Sequence, residues 1–417
     1  MNGTPSRDYD VLIAGGGAVG SALACALVEL PLTIALVEER AAQLLEQPSF
    51  DARVTALANG SQQILAGLDL WPELKGYTEA IRSIHISERG RFGAARIYAA
   101  EEHVPALGFT VENQALGRTL WERLQRAERL TVLAPAKVTA VSREREHAVV
   151  TLQHRGAVER VRAKLVVAAD GVRSAVRSSL GVETTEHDYG QRAVIFNCST
   201  EVPLAGRAFE RFTARGPIAC LPLTGGRAAV IWTLPEGDAE RIAALPAEAF
   251  RAELQSAFGQ RLGRFTRIGE RHLYTLTRVA SGAVHGERTV LIGDAALRLH
   301  PVAGQGFNLA LRDVATLAEV LADALRAGRD TGFAVDVGAA ELLERYAAWR
   351  AADRQRVSSF THGLIQLFGE SAPGAGLGRG LGLMAFDLLP GAKALLARHT
   401  MGKAGRLPRL ARGLKLY

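Results

Sequence analysis

The chain has 417 residues, of which 48% are hydrophobic and 22% charged, and this balance excludes a disordered or fibrous protein. Its length predicts two or three domains. The net charge of +7 arises at the C-terminal end, where eight basic residues and one acidic residue follow position 370. The rest of the chain has no basic surplus for a nucleic-acid groove, so no nucleic-acid partner is expected.

The cysteine and histidine patterns exclude further classes. Cys25, Cys198 and Cys220 are an odd number without a CxxC pair, and the ten histidines show no metal-ligand spacing. We therefore expect neither a disulfide framework nor a metal site. A reducing, cytoplasmic location is favoured.

The N-terminal apolar segment has two possible interpretations, a membrane span or a buried strand, turn and helix. Residues 11–28 form an uncharged apolar run of membrane-spanning length, but its many glycines and alanines make it weakly lipophilic. The preferred interpretation is a strand at 10–14, a turn at 15–20 and a helix at 21–29. A second strand at 32–37 then completes a βαβ unit, the start of a doubly wound parallel sheet.

Gly15, Gly17 and Gly20 fit the GxGxxG pattern between this strand and helix, and Glu38 ends the second strand. Gly15 permits a tight turn, Gly17 lets a pyrophosphate approach the backbone, and Gly20 lets the helix pack on the strand. The carboxylate of Glu38 can accept both hydroxyls of an unphosphorylated adenosine ribose, as in FAD or NAD. A purely structural glycine turn is the alternative.

Later segments predict a parallel sheet interrupted by an antiparallel one. A helix is predicted at 117–129, with strands at 131–133, 137–141, 164–169 and 288–292. Strands at 217–223 and 227–234 flank Gly225 and Gly226, a good hairpin centre. Helices are predicted from about Gly306 and again from about Glu341.

Two further motifs each follow a predicted buried strand. Asp170 and Gly171 end one strand, and Gly293 and Asp294 end another. A loop beyond the latter then opens a helix and contains His300, Pro301, Gly304, Gln305, Gly306 and Asn308. Such a site offers a carboxylate to a polyol and free N–H groups to an electron-rich ring edge.

Together the three motifs, in this order and spacing, resemble the flavoprotein aromatic hydroxylases of the para-hydroxybenzoate hydroxylase fold. The resemblance implies that the glycine motif and Glu38 bind the ADP part of FAD. It implies that Asp170 and Gly171 link the flavin to reduced nicotinamide, that Gly293 and Asp294 hold the ribityl chain, and that 300–308 borders the isoalloxazine ring. Arg53 and Arg118 are also implied in cofactor binding, with a solvated helix arginine as the alternative for Arg118.

Segments 50–57, 84–90 and 206–213 resemble the ubiquinone-biosynthesis branch of this family, above all the 2-polyprenyl-6-methoxyphenol hydroxylases. This resemblance implies FAD as cofactor, NADH or NADPH as co-substrate, and a polyprenyl phenol as substrate, hydroxylated to the 1,4-benzoquinol. Two rivals stay open. One is a paralogue acting on another ring carbon, and the other is a flavin-binding scaffold subunit of a ubiquinone-synthesis complex.

The expected fold is α/β, a Rossmann-like FAD-binding domain with an inserted, mostly antiparallel β substrate domain and a C-terminal helical region. The FAD-binding parts are expected at 1–75, 111–184 and 286–335. Substrate-domain parts are expected at 76–110 and 185–285, and the helical region with its basic tail at 336–417.

Oxygen transfer needs a closed, apolar pocket, and the middle sheet could provide one wall. Its candidate residues, which core packing explains equally well, are Phe196, Phe212, Ile218, Leu221, Leu223 and Trp232. His300 is the candidate proton acceptor for the phenol, although a histidine before a proline is more often structural.

The basic tail suggests a membrane contact. On a helical wheel Leu407, Leu410 and Leu414 cluster on one side, and basic residues occupy the remaining arc. Such a helix could lie peripherally on the inner face of an anionic membrane. A solvated basic tail is the alternative, which Pro408 and Gly413 favour.

Overall fold

The first sheet follows the doubly wound pattern that the sequence predicts. The structure, a computed structural model, describes residues 7–40, 54–299, 304–369 and 389–416. Strands are numbered along the chain. The first sheet contains β1 (Arg7–Ala14), β2 (Ile34–Val37), β8 (Leu130–Leu133), β9 (Ala136–Arg143), β10 (Ala148–His154), β11 (Ala157–Ala168), β18 (His285–Gly286) and β19 (Thr289–Leu291).

The order along this sheet is β18-β19-β11-β1-β2-β8, and β19, β11, β1, β2 and β8 are parallel. Its inner strands are apolar on both faces, since a parallel sheet is covered on both sides. One face packs against helices α1 (Ala18–Leu27), α4 (Asn113–Gln125), α8 (Gln305–Thr331) and α9 (Ala340–Gly369). The other face packs against the antiparallel extension made by β9 and β10.

The first βαβ unit is confirmed, with one difference at the start of α1. The helix begins at Ala18, three residues earlier than the sequence predicts, and Gly17 is its N-cap with extended backbone. Gly20 therefore lies inside the first helical turn. The apolar run that could have been a membrane span is a buried strand, a glycine turn and a buried helix.

The second sheet is antiparallel except where β13 pairs with β5. Its strands are β5 (Ser83–Glu88), β6 (Ala94–Tyr98), β12 (Thr184–Thr200), β13 (Arg207–Thr213), β14 (Gly216–Pro222), β15 (Arg227–Pro235), β16 (Phe265–Ile268), β17 (His272–Ser281) and β20 (Leu297–Arg298). The predicted hairpin at Gly225 and Gly226, between β14 and β15, is confirmed. Helices α6 (Glu236–Ala243) and α7 (Ala247–Phe258) cover one face of the sheet.

A small third sheet joins the two larger ones. It consists of β3 (Val54–Ala58), β7 (Gly108–Glu112) and β4 (Thr78–Ile81). The remaining helices are α2 (Asn59–Gly67), α3 (Trp71–Leu74), α5 (Ala175–Ser179) and α10 (Pro390–Thr400). The Thr110 hydroxyl on β7 donates a hydrogen bond to the carbonyl of Pro222 on β14, which fastens the small sheet to the second sheet.

The basic tail does not form the amphipathic helix that one of the two sequence interpretations required. After α10 the chain contains a single 3₁₀ turn, Leu410–Arg412, which ends at Gly413 with φ +73°. Leu410 is buried against Gly67 of α2, and Leu407 packs against the core of the first sheet. The leucine face proposed for a membrane is therefore mostly used inside the protein.

The basic residues of the tail are also largely engaged by the protein surface. Arg409 pairs with Glu319 and Asp323 on α8, and the Arg406 guanidinium lies 3.8 Å from the centre of the Trp349 ring. Within the described segments, no helix has the length and apolar character needed to span a bilayer.

Candidate active site

The three sequence motifs meet at one edge of the first sheet. They follow β1, β11 and β19, which are adjacent and parallel, so their carboxyl ends lie side by side. A Cβ placed on Gly15 would lie 2.5 Å from the carbonyl oxygen of Ala169, and one placed on Gly293 would lie 3.2 Å from Val19. This edge is where doubly wound proteins bind their ligands.

The glycine motif forms a site suited to a nucleotide. No side chain in the described part of the chain caps the N-terminus of α1, and a Cβ on Gly17 would meet nothing within 4 Å. The free N–H groups and the positive helix end therefore face open space, as a pyrophosphate requires. Glu38 Oε2 accepts a hydrogen bond from Gly16 N at 2.8 Å, and Oε1 accepts one from Arg40 N at 2.9 Å. Each oxygen keeps a lone pair for a ribose hydroxyl.

The substitution Glu38→Gln is expected to weaken FAD binding about 10- to 100-fold, because it removes a charged acceptor of ribose hydroxyls. The dissociation constant of FAD, measured by flavin fluorescence on the apoprotein, tests this. Glu39→Gln is the matched control, since Glu39 is exposed and pairs with Lys137 at 2.8 Å. Equal weakening in both variants would contradict a ribose contact for Glu38.

The second motif contains a buried carboxylate, Asp170, that can accept a further hydrogen bond. Asp170 Oδ2 accepts a hydrogen bond from Ala175 N at 2.8 Å, whereas its Oδ1 is buried without a hydrogen-bond partner among the described residues. Burial raises the pKa of Asp170. Gly171 follows with φ +81°, and Ser174 caps α5 through the N–H of Arg177 at 3.0 Å. A hydroxyl or amide of a bound group would satisfy Oδ1.

The third motif places a second carboxylate in a cleft. The side chain of Asp294 is accessible to solvent. The surrounding protein nevertheless raises its pKa by burial, and the positive charge of Arg298 offsets only part of this increase. The carboxylate of Asp294 is therefore accessible to a ligand although the surrounding protein disfavours its charged form. The ribityl hydroxyls of a flavin suit such a carboxylate.

The loop that follows leads into α8, whose N-terminus is capped by no side chain of the described residues. Gly304, with φ +59°, is the N-cap of α8, and Gln305 and Gly306 form its first turn. The side chain of Asn308 forms its hydrogen bonds with the protein backbone. Its Oδ1 accepts from Ala58 N at 2.8 Å, and its Nδ2 donates to the carbonyls of Ala56 and Gly304. Asn308 therefore fixes the start of α8 against β3.

Some predicted site residues are not placed at this edge. Arg53, His300 and Pro301 lie outside the described residues. Arg118 is exposed on α4 and stacks over the ring of Tyr77 at 4.8 Å. Its contact with the cofactor remains a prediction.

Two residues that sequence analysis did not select hold the backbone of the second and third motifs through hydrogen bonds. Asp313 Oδ2 accepts a hydrogen bond from Gly293 N at 3.2 Å. Arg177 Nη1 donates to the carbonyl of Ala295 at 2.9 Å, and its Nη2 donates to that of Val172 at 2.5 Å, so it ties the second motif to the third. Asp313 lies five residues after Asn308, and only this proximity could have indicated it.

Asp313 belongs to a buried ionic cluster between α8 and α9. Its Oδ1 lies 2.7 Å from Arg350 Nε and 3.0 Å from Arg354 Nη2. Asp353 Oδ2 lies 2.5 Å from Arg350 Nη1 and 2.9 Å from Arg312 Nε. Burial lowers the pKa of Arg312 to about 10. The cluster fixes the backbone on which the third motif depends.

The residues predicted as a pocket wall divide between the two faces of the second sheet. Three lie on the face covered by α7 and belong to its packed core, namely Phe196, Ile218 and Trp232. For these three, core packing is the correct interpretation. Phe212 and Leu221 lie on the opposite face, and Leu223 is buried just beyond β14.

FAD fits the residues at this edge. The open, uncapped end of α1 suits the pyrophosphate and Glu38 suits the adenosine ribose. The unpartnered Oδ1 of Asp170 and the cleft carboxylate of Asp294 suit the hydroxyl and amide groups of the flavin half. The N-terminus of α8, which no described side chain caps, suits an electron-rich ring edge.

Comparison with known proteins agrees with this geometry. A family model described as an FAD binding domain matches residues 8–361. The ubiquinone hydroxylase UbiL of Rhodospirillum rubrum is 38% identical, over 100% of this chain and 95% of the relative. The 3-demethoxyubiquinol 3-hydroxylase of Escherichia coli is 29% identical, over 95% of this chain and 99% of the relative.

A solved structure supports the fold. The p-nitrophenol 4-monooxygenase PnpA from Pseudomonas putida superimposes with a TM-score of 0.78, covering 96% of this chain and 99% of that one at 18% identity. The chain therefore belongs to the FAD-binding monooxygenases, within the group of ubiquinone-biosynthesis hydroxylases, with FAD as cofactor and NAD(P)H as co-substrate.

Proposed function

We propose that this enzyme hydroxylates the aromatic ring of a polyprenyl phenol, with the conversion of a 2-polyprenyl-6-methoxyphenol to the 1,4-benzoquinol as the first candidate reaction. The main support is the meeting of the three motifs at the carboxyl ends of β1, β11 and β19. Full-length similarity to ubiquinone hydroxylases supports the substrate class.

FAD supplies, when bound, the transfer of electrons from NAD(P)H to O2 and of one oxygen atom to an electron-rich ring. The residues of this chain bind FAD and orient it. In this proposal Glu38 and the start of α1 hold the adenosine and pyrophosphate, and Asp294 holds the ribityl hydroxyls. Asp313 and Asn308 keep the backbone of the third motif and of α8 in position through the hydrogen bonds described above.

The open face of the second sheet is suited to an apolar substrate. Four half-buried apolar side chains on this face belong to no packed cluster of the described residues, unlike those of the α7 face, namely Ile86, Ala219, Leu221 and Ile231. A polyprenyl phenol laid on this face would cover these side chains and exclude water from the reacting ring.

Complementation tests the proposal and the ring position together. In strains that each lack one ring hydroxylase of ubiquinone synthesis, the chain should restore ubiquinone in the strain whose missing step it performs, measured by mass spectrometry of the lipid extract. Restoration of none would contradict the proposed function. Similarity to a 3-demethoxyubiquinol 3-hydroxylase makes hydroxylation at another ring carbon the second candidate.

The variant Asp294→Ala separates an enzyme from a scaffold. Because its cleft carboxylate is assigned to the flavin, we expect its loss to abolish restoration of ubiquinone in the strain that the unaltered chain rescues. Comparable protein levels, checked by immunoblot, provide the control. Full restoration by the variant would favour a flavin-binding scaffold instead.

A further inference from the structure

Strand register places an acidic side chain on the open face of the second sheet. On β13, Phe209 contacts Phe258 of α7 at a ring distance of 5.9 Å and belongs to the packed core. The next residue, Glu210, must therefore lie on the opposite face. It is paired in register with Ile86 on β5 and with Ala219 on β14, two of the half-buried apolar residues described above.

Glu210 lies alone in an apolar environment. It makes no hydrogen bond or ion pair with another described residue, and it is half-buried by accessible surface. Burial nevertheless raises the pKa of its carboxyl to about 7. Asp294 combines the same two properties, an accessible surface and a pKa raised by burial. The Glu210 carboxyl is therefore partly accessible, while the protein that surrounds it disfavours its charged form.

The open face of the second sheet is linked to the cofactor edge through a series of contacts. Ile84 and Ile97 share this face with Glu210, and they pack against α10 and Met401. The carbonyl of Met401 accepts a hydrogen bond from Gly60 N at the start of α2. Two residues before Gly60, Ala58 N donates a hydrogen bond to Oδ1 of Asn308. A continuous set of contacts thus leads from this face to the start of α8.

Titratable groups on the neighbouring elements form ion pairs with residues other than Glu210. Glu88, two positions further along β5 on the same face, lies 4.0 Å from Arg91. The open face of β14 contributes uncharged residues only, Pro217, Ala219 and Leu221.

On α10, Lys393 pairs with Glu101 at 3.0 Å. The pKa of His399 is lowered by burial and by the charge of Arg312. The pKa of Glu210 is raised by burial, without a contribution from the charges of these groups.

We propose that Glu210 is the protein group that accepts the proton of the substrate's ring hydroxyl. In this step the phenol O–H bond breaks and an O–H bond forms on the Glu210 carboxylate, giving a phenolate and a neutral carboxylic acid. The proton returns to the same oxygen once the ring is hydroxylated, so no further reactant is consumed. This inference rests on the proposed function.

The surroundings of Glu210 suit this role. A phenol ordinarily has a pKa near 10, so an ordinary glutamate near 4.3 is a poor acceptor. A carboxyl with a pKa of about 7 is closer to both the phenol and the operating pH, which is the condition for efficient general-base catalysis. A phenolate is also the more electron-rich ring for oxygen transfer.

The test compares Glu210→Gln and Glu210→Ala with Glu88→Gln, the matched control on the same face. We expect both Glu210 variants to bind FAD with an unchanged absorption spectrum, and to hydroxylate about 10²- to 10⁴-fold more slowly. Hydroxylation by the unaltered enzyme should fall below an apparent pKa near 7. This dependence should disappear in Glu210→Gln and persist in Glu88→Gln. A Glu210→Gln variant with an unaltered rate and pH profile would overturn the inference.

A second readout does not depend on activity. Burial raises the pKa of Glu210 to about 7, above its value near 4.3 in the unfolded chain, so the folded state loses stability as the pH rises from about 4.3 to about 7 and keeps this loss at higher pH. Glu210→Gln should therefore raise the midpoint of thermal unfolding at pH 8 and change it much less at pH 5. An unchanged midpoint at both pH values would contradict the apolar environment.

The two proposals fail separately. If the unaltered enzyme hydroxylates no polyprenyl phenol, the proposed function is wrong, whatever the Glu210 variants do. If it does so and the Glu210 variants match it, only the role of Glu210 is wrong.

Discussion

Gly20→Ala is expected to abolish FAD binding and to lower the free energy of unfolding by about 3 kcal/mol. A Cβ at this position would overlap the carbonyl oxygen of Gly15 and approach the Cβ of Ala169 at 3.3 Å. The overlapping atom is backbone and cannot rotate away, so α1 would have to move off β1. Chemical denaturation of the apoprotein and flavin fluorescence titration measure the two effects.

Gly17→Ala is the matched control within the same motif. Gly17 has φ −63°, which alanine adopts without strain, and its added Cβ would meet no atom of the described residues within 4 Å. We expect the free energy of unfolding to stay near that of the unaltered chain while FAD affinity falls, because the Cβ enters the space assigned to the pyrophosphate. If Gly20→Ala were as stable as Gly17→Ala, the proposed packing of α1 on β1 would be wrong.

Much of the fold could be predicted because its signals are local. Each of the three motifs follows an apolar strand, and neighbouring parallel strands bring such ends together. The sequence pattern predicts the start of α1 three residues too late, because Gly17 and Gly20 are both typical turn residues, although Gly20 is helical. Glycine spacing alone does not distinguish a flexible turn from a close contact between a helix and a strand.

The tail shows where local patterns fail. A cluster of leucines on a helical wheel describes any apolar face, whether it meets lipid or protein. Here Leu410 meets Gly67, more than 300 residues earlier in the chain, and Pro408 and Gly413 confine the helical conformation to one short turn. Only the folded chain reveals that partner.

Glu210 and Asp313 were not predicted for a similar reason. Glu210 lies within a segment that resembles the ubiquinone branch, but which face it occupies depends on the register of β13 against β5 and β14. The partners of Asp313 are the N–H of Gly293 and two arginines of α9, 20 to 41 positions away. Neither arrangement has a short-range pattern.

Asp313→Ala should lower the free energy of unfolding by about 3–5 kcal/mol, because it leaves Arg350 and Arg354 buried without this carboxylate. It should also weaken FAD binding, since Gly293 N loses its acceptor. Chemical denaturation and FAD titration measure the two effects. Asp8→Ala removes a carboxylate paired with Arg162 at the surface and should change stability far less.

Asp313→Asn separates the two effects of this residue. The amide oxygen can still accept the hydrogen bond of Gly293, so the affinity for FAD should stay closer to that of the unaltered chain. The negative charge between the arginines is lost, so stability should still fall. If Asp313→Asn and Asp313→Ala weakened FAD binding equally, the charge of the cluster, and not the hydrogen bond to Gly293, would determine the shape of the third motif.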